Sequence, residues 1–395
     1  MMCLQIKGNI VIIFMSDNYD YLEVYSVKRI CMFMCIMFLI AYIVSLSGCR
    51  NHDTAEVFAT PDESAKPSEK PGVKPVMSDE SLITIGFVQV GHESAWREAA
   101  TESAKETFSE ENGYELKFID SDNNPDYQKQ AVMDFVEQKV DYIVIDPIVT
   151  DGWNSVLQAA KEASVKVFVI DRTIDCDESM YEAWFGSDFE AEGEAAGAWL
   201  EAYLENKGRE SEEITIVTVA GTEGSAAQKG RTRGFDKYIK KHDNWTKLGE
   251  KDGEFTQESG KKVMEGFISS FGKADIVVCH NDNEAWGVME ALDEAGITYG
   301  VGGETILISF DAVHDGLECV LEGKINADFE CNPLSAPYVE EAIRKLENGE
   351  KIRKKTNYID EACFQAENNV TIIEYAGKTA NMITITENVL ESRAY

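Results

Sequence analysis

The chain has 395 residues, with 71 acidic side chains against 37 basic ones and a formal net charge of −34 at pH 7. Such a charge repels nucleic-acid phosphates and anionic membrane surfaces, which excludes both as binding partners of the folded body. The length exceeds what one small core can organise, so two lobes are expected in the globular part.

In chain order, the first signal is Lys28-Arg29, followed by a near-continuous apolar run from Ile30 to Val44 that closes in Leu46-Ser47-Gly48-Cys49. A charged segment, a short apolar segment and small residues at a cleavage point form the layout of a secretory signal. The run is about 15 residues, short of the roughly 20 that span a bilayer, which favours a cleaved leader over a transmembrane anchor. Leu three residues before the cysteine and Ser-Gly directly before it resemble the lipobox of bacterial lipoproteins. That resemblance implies that residues 1–48 are a signal peptide. It also implies that Cys49 is lipidated and tethers the protein to the outer side of the bacterial cell membrane. The stretch ahead of Lys28 is long for a charged segment, and Met15 offers a second start. Residues 51–81 carry Pro61, Pro67, Pro71 and Pro75 among scattered charges and almost no large apolar residue. Such composition buries no core and reads as a flexible tether, assigned to 49–81.

From residue 82 onward, short apolar runs alternate with amphipathic stretches. Strands are expected at Ile83–Val88, Leu116–Ile119, Tyr142–Ile145 and Val165–Ile170, with helices near Ala95–Phe108, Tyr127–Gln138 and Asp151–Ala163 between them. The alternation resumes with strands at Ile214–Val219, Ile276–Cys279, Thr305–Phe310 and Ala327–Cys331. Helices separate them near Gly193–Leu204, Ala226–Lys240, Ser259–Phe271, Asn283–Ala295 and Ala312–Leu321. This order predicts an α/β architecture of parallel sheets covered on both faces. Ligands of such sheets sit outside the carboxyl ends of the strands, so the polar residues just past each strand are the candidate site.

Those positions are Glu93, Trp96 and Arg97 after the first strand, Asp146 after the third, and Asp171-Arg172 after the fourth. Arg231, His280-Asn281-Asp282 and Asp311 are their counterparts in the second half. Carboxylates accept hydroxyl hydrogens and arginine donates in a planar fork, a combination that suits a hydroxyl-rich ligand. Trp96 offers a flat apolar face for the C–H side of a ring. Asp282 reads as the helix cap after its strand, which leaves Asn281 as the ligand contact. Trp153 reads about equally as a core or rim residue and as a ring contact.

Three other chemistries fail. Asp120, Asp122, Asn124 and Asp126 begin like a calcium loop, but Pro125 and Ala131 stand where that loop needs Gly and Glu. Cys279 and His280 are adjacent on a strand, point to opposite faces and form no dyad. Glu93 with Asp171 could mimic a glycosidase pair, but neighbouring arginines keep both ionised and leave no general acid. Cys176, Cys279, Cys319, Cys331 and Cys363 are odd in number and lack metal-like spacing, so buried thiols are expected. No catalysis, cofactor or metal is therefore expected.

The stretch Gly86-Phe87-Val88-Gln89-Val90-Gly91-x-Glu93-Ser94-x-Trp96-Arg97 resembles the type I periplasmic sugar-binding proteins of ABC transporters, the ribose and galactose binders. Pro147-Ile148-Val149-x-x-Gly152-Trp153, Asp171-Arg172-Thr173-Ile174-Asp175, Arg231-x-x-Gly234-Phe235 and His280-Asn281-Asp282 carry the same likeness. Within that family the galactofuranose binders are most similar, with departures at Gly230 and after Cys363. The resemblance implies two Rossmann-like lobes joined by a three-strand hinge, crossing near Ser187-Asp188, Asn332-Pro333 and Thr356-Asn357. The first lobe would be 82–187 plus 333–356 and the second 188–332 plus 357–395. It further implies a monosaccharide held by Glu93, Trp96, Arg97, Asp171, Arg172, Arg231, Asn281 and Asp311, with hinge closure on the ligand. A monomer delivering its sugar to the membrane subunits of an ABC permease is the expected partner arrangement. Presentation of the closed form to a membrane kinase or chemoreceptor is the alternative.

Overall fold

The computed structural model describes two strands near the N-terminus and then residues 82–395. Strands β1 (Met2–Ile6) and β2 (Asn9–Ile13) form an antiparallel hairpin. The expected leader segment Lys28–Gly48, lipidation at Cys49 and the tether lie outside the described residues. No helix among the described residues is long and apolar enough to cross a membrane.

The described residues from 82 onward belong to one compact unit. Its first sheet contains β3 (Ile83–Gln89), β4 (Tyr114–Asp120), β5 (Tyr142–Ile145), β6 (Lys166–Ile170), β7 (Ala183–Gly186) and β13 (Thr356–Tyr358). The spatial order is β13-β7-β6-β5-β3-β4 and every pairing is parallel. Helices Ala95–Thr107 and Ala336–Glu347 cover one face, where Ala104, Val339 and Ile343 pack on Ile85 and Phe87. Helices Pro125–Gln138 and Asn154–Glu162 cover the other, packing Val132, Phe135 and Leu157 on Val88, Ile143 and Ile145. All four residues of β5 are buried, as a strand covered on both faces requires. Trp153 is fully buried in this second core and its indole N–H donates to the Val149 carbonyl at 2.9 Å, so it is a core residue.

The second sheet contains β8 (Ile214–Ala220), β9 (Trp245–Asp252), β10 (Ile276–Cys279), β11 (Ile306–Asp311) and β12 (Ala327–Glu330), then β14 (Cys363–Gln365), β15 (Ile372–Tyr375) and β16 (Lys378–Thr384). Its order is β15-β16-β14-β12-β11-β10-β8-β9. The strands β8 to β12 pair in parallel; β14 runs antiparallel to β12, and β15 and β16 form a hairpin at the edge. Side chains alternate between two cores: Ile276 and Val278 pack with Trp199 and Phe235, while Val277 and Cys279 pack with Phe267 and Leu292. The segment after Cys363, unassigned from sequence, supplies this antiparallel edge. Its hairpin turns at Ala376-Gly377, both at positive φ (48° and 71°).

Three chain crossings join the sheets. The first runs from β7 through Ser187-Asp188 into helix Phe189–Asn206, and the second from β12 into helix Ala336–Glu347. The third was expected at 356–357. That position lies inside β13, which hydrogen-bonds β7 in the first sheet, so the crossing falls between Tyr358 and Cys363 instead. A three-residue strand with the sequence Thr-Asn-Tyr has no apolar run to betray it. Glu361 ties the crossings together: it accepts from the Ser187 hydroxyl and from the Asn332 amide at 3.2 Å.

Candidate functional site

The eight residues expected at the site all line one cavity between the two sheets. Its empty volume is about 290 Å³, and Ser94, Phe189, Ala227, Phe255 and Cys331 complete the wall.

The first-lobe wall begins at a helix start. Ser94 caps helix Ala95–Thr107 by accepting from the Arg97 amide at 3.2 Å, which sets Glu93 and Arg97 one turn apart and facing each other. Arg97 Nε donates to Glu93 Oε1 at 3.2 Å, and the same guanidinium reaches Asp171 Oδ2 at 3.2 Å and Asp146. Arg172 lies 3.8 Å from Glu93 and 3.9 Å from Asp171, and donates to the Ile148 carbonyl at 3.2 Å. Burial alone would raise the Glu93 carboxyl; Arg97 and Arg172 outweigh it and hold it below the usual range. Burial pushes Asp146 well upward despite Arg97 beside it. Glu93 therefore stays ionised beside its arginines and is no general acid. Its Oε2 is buried without a hydrogen-bond partner, a free acceptor on the cavity wall.

The second-lobe wall depends on two helices in near contact. A Cβ on Gly230 would stand 2.5 Å from Phe189 Cβ, one on Gly193 2.2 Å from the Arg231 carbonyl oxygen, and one on Gly234 2.1 Å from the Glu190 carbonyl oxygen. A larger side chain at 230 cannot enter this packing unless the two helices shift apart. The close approach sets Arg231 against Glu192, with Nε to Oε2 at 2.7 Å, and Arg231 also donates to Asp311 Oδ1 at 3.2 Å and to the His280 carbonyl. Burial raises Glu192 to about 7 and Asp311 to about 6, against the lowering pull of Arg231. Asp171 and Asp311 both sit at positive φ, 54° and 97°. Backbone in that region is costly for residues other than glycine, and here it turns both carboxylates at their strand ends.

Asn281 occupies the cavity wall but is also the helix cap. Its Oδ1 accepts from the Glu284 amide at 2.8 Å and its Nδ2 donates to the Phe255 carbonyl at 3.1 Å. Asp282, expected as the cap, lies inside the first turn and accepts from the Ser309 hydroxyl and the Val313 amide. A strand running straight into the helix leaves Asn281, not Asp282, in the extended conformation that a cap requires. Cys279 packs in the apolar core, whereas the His280 ring stands over Phe310 on the other side of the sheet, so no dyad forms.

The lobes meet across the cavity. The Trp96 indole donates to the Cys331 carbonyl at 2.5 Å, the Ala95 amide to Asn283 Oδ1 at 3.2 Å, and Lys229 to Thr150 Oγ1 at 3.2 Å. Trp96, Phe189 and Phe255 belong to one apolar cluster that bridges the two halves. The Arg172 guanidinium carbon lies 5.3 Å from the Phe255 ring centre. Sequence reading did not find Phe189 or Phe255, nor the supporting roles of Asp146 and Glu192. Phe255 follows β9, a strand whose sequence Trp-Thr-Lys-Leu-Gly-Glu-Lys-Asp is too polar to stand out. Asp146 was visible as a strand-end carboxylate; only the fold shows that it holds Arg97.

Three guanidinium groups (Arg97, Arg172, Arg231) face three carboxylates (Glu93, Asp171, Asp311) around the cavity, with aromatic rings beside them. Opposite charges balance among the lining side chains, and Asp146 and Glu192 behind the wall pair Arg97 and Arg231 as well, so no guanidinium is left to demand an anionic ligand. What it offers is many directed donors and acceptors around an apolar surface.

Comparison with known proteins bears on the whole unit. Residues 85–338 match the periplasmic binding protein domain family. The galactofuranose-binding protein YtfQ of Escherichia coli (strain K12) is 36% identical over 267 residues, covering 67% of this chain and 81% of that protein. A Mycobacterium smegmatis protein crystallised with β-D-fucofuranose superposes with a TM-score of 0.68 at 35% identity, covering 73% of this chain and 92% of that one. The periplasmic binding component of the arabinose ABC transporter of Shewanella sp. ANA-3, bound to α- and β-L-arabinofuranose, gives 0.67 at 34% identity over 72% and 93%. YtfQ and the arabinose component are named as binding proteins, not enzymes. From its two α/β lobes and three crossings, and from this match over most of the folded unit, the chain belongs to the periplasmic binding protein domain family and has its type I fold.

Proposed function

We propose that this protein is an extracytoplasmic solute-binding protein that captures one monosaccharide in its furanose ring form and hands it to an ABC permease. The observation that carries the reading is the charge-balanced cavity with an orphaned acceptor, Glu93 Oε2, on its wall. A neutral polyol fits it: hydroxyl hydrogens go to Glu93, Asp171 and Asp311, and hydroxyl oxygens take donors from Arg97, Arg172 and Arg231. Trp96 and Phe255 then cover the C–H faces. The similar proteins named for galactofuranose, fucofuranose and arabinofuranose support the five-membered ring. Arg97 and Arg172 belong to one lobe and Arg231 to the other, so both halves contribute and closure is stabilised by the ligand that bridges them. The lipobox at Leu46–Cys49 supports attachment to the cell membrane through Cys49.

Calorimetry on the protein with methyl furanosides and methyl pyranosides of galactose, arabinose and fucose tests the reading, because the methyl group locks the ring. Furanosides are expected to bind with micromolar affinity or better and pyranosides to give no heat. Preference for pyranosides would overturn the ring form. Silence across the panel, with heat from amino acids or peptides instead, would overturn the substrate class.

A further inference from the structure

We propose that the hinge carries a binding site for a zinc-class divalent cation, formed by Glu192, Cys331 and Glu361. The three residues come from the three crossings. Glu192 lies in the first turn of helix Phe189–Asn206, just past the first; Cys331 directly follows β12 at the second; Glu361 sits in the third. Each offers one ligand atom, a thiol sulfur or a carboxylate oxygen, and all of these lie within 4.8 Å of one another.

A second, independent observation points to a ligand there. Glu192 is only 5% exposed, and while Oε2 is engaged by Arg231 at 2.7 Å, Oε1 has no hydrogen-bond partner. A buried carboxylate oxygen without a donor is costly, and a bound cation removes that cost. Glu192 and Glu361 also line a cavity of about 300 Å³ that is separate from the sugar cavity, together with Asp188 and Glu330. Lys378 is its single cationic lining residue, and it is bonded to Asp188 at 3.2 Å. Arg231 pairs one oxygen of Glu192 and Arg393 pairs Glu330 at 2.6 Å, so Glu361 is the lining carboxylate with no cationic partner, and a cation between it and the free Glu192 Oε1 is the complementary occupant.

The donor set selects the metal. Hard cations such as calcium take six to eight oxygens, which three side chains including a thiol do not provide. One sulfur and two carboxylate oxygens, with water from the adjoining cavity as a fourth ligand, suit zinc. Binding ionises the Cys331 thiol and releases its proton to solvent. A cation held here cross-links all three crossings at the pivot of the two lobes. It also touches the sugar cavity at two points. Glu192 Oε2 holds Arg231, and the Cys331 carbonyl receives the Trp96 indole.

The test titrates Zn²⁺ into chelator-treated full-length protein against a chromophoric competitor, in wild type, Cys331→Ser and Glu361→Gln. Cys3, Cys31, Cys35 and Cys49 also occur in the chain, so the quantity read is the difference: each variant is expected to bind one equivalent fewer. Cd²⁺ titration adds a sulfur-to-metal absorption, part of which should vanish in Cys331→Ser. Glu361→Gln keeps the carbonyl that accepts from Ser187 and Asn332, and its melting curve reports folding. Equal zinc stoichiometry in all three proteins overturns the site. So does a loss confined to Cys331→Ser, which would mean a lone thiol. Sugar calorimetry on the chelated wild type reads the sugar site separately, so either conclusion can fail without the other.

Discussion

The two lobes hold their cavity arginines in different company. In the first, Arg97 and Arg172 share Glu93 and Asp171, so each carboxylate on the cavity wall has two cations within 4 Å, and Arg97 also holds Asp146 behind it. In the second, Arg231 alone serves Glu192 and Asp311. The electrostatic outcome follows: doubly paired Glu93 is held below the ordinary carboxylate range, while burial raises the singly paired groups, Asp146 in the first lobe and Glu192 to about 7 and Asp311 to about 6 in the second. The first lobe is a redundant, preorganised donor platform. The second is a single linchpin over carboxylates poised near neutrality.

The largest expected effect comes from removing that linchpin. Arg231→Ala strands two buried carboxylates, a loss of about 3–5 kcal/mol of folding stability for a broken buried pair, and should abolish detectable sugar heat. Arg172→Ala leaves Arg97 to pair Glu93 and Asp171, so stability should change little. Sugar affinity should still fall about 10- to 150-fold, as expected when a hydrogen bond to a charged group worth roughly 1.5–3 kcal/mol is lost. Denaturant unfolding and calorimetry on both variants measure the contrast, and equal destabilisation would break it.

Titration should separate the wall carboxylates Glu93 and Asp311 by sign. The Asp311 carboxyl is raised from 3.8 to about 6, so its contribution to stability is fully present below pH 3.8 and is lost as pH rises through about 6. Glu93 is lowered from 4.5, so its contribution is present above 4.5 and is lost as pH falls through its depressed pKa. Unfolding free energies of wild type minus Asp311→Asn should therefore fall from about pH 4 to pH 7, by no more than about 1.4 kcal/mol per unit for one proton. The corresponding difference for Glu93→Gln should rise with pH in the acid range. Slopes of the same sign would contradict the contrast.

The smallest effect is expected two residues along the helix from Arg231. The Arg233 side chain is 59% exposed and pairs with Glu190 at 3.0 Å on the surface. Arg233→Ala should change stability by less than about 1 kcal/mol and leave sugar affinity unaltered. A damaging Arg233→Ala beside a silent Arg231→Ala would place the wrong arginine in the cavity.

Much of the site was legible because strand ends in a doubly covered parallel sheet converge, whatever the loops between them. Glu93, Asp171 and Asp311 could be chosen from the residues that follow apolar runs, and all three line the cavity. Phe255 was lost with β9, an edge strand whose charged residues hide its period. The cap was misassigned by one residue, because Asn281 and Asp282 are chemically alike as caps and only the extended backbone of Asn281 separates them.

The sequence by itself determined the βα alternation and the two-core sheets, since apolar period and element length act over a few neighbouring residues. It also singled out eight of the side chains that stand at the cavity, though not Phe189 or Phe255. The tertiary structure decided which partner each of them takes: Asp146 for Arg97, Glu192 for Arg231, and the glycine-lined helix contact that sets the latter distance. It moved the third crossing to lie past Tyr358, because pairing with β7 satisfies the backbone of Thr356–Tyr358 that no local pattern marks. It also gathered Glu192, Cys331 and Glu361 at the hinge. Their separation in sequence carries no spacing to read, because their meeting depends on where three strands cross between two sheets.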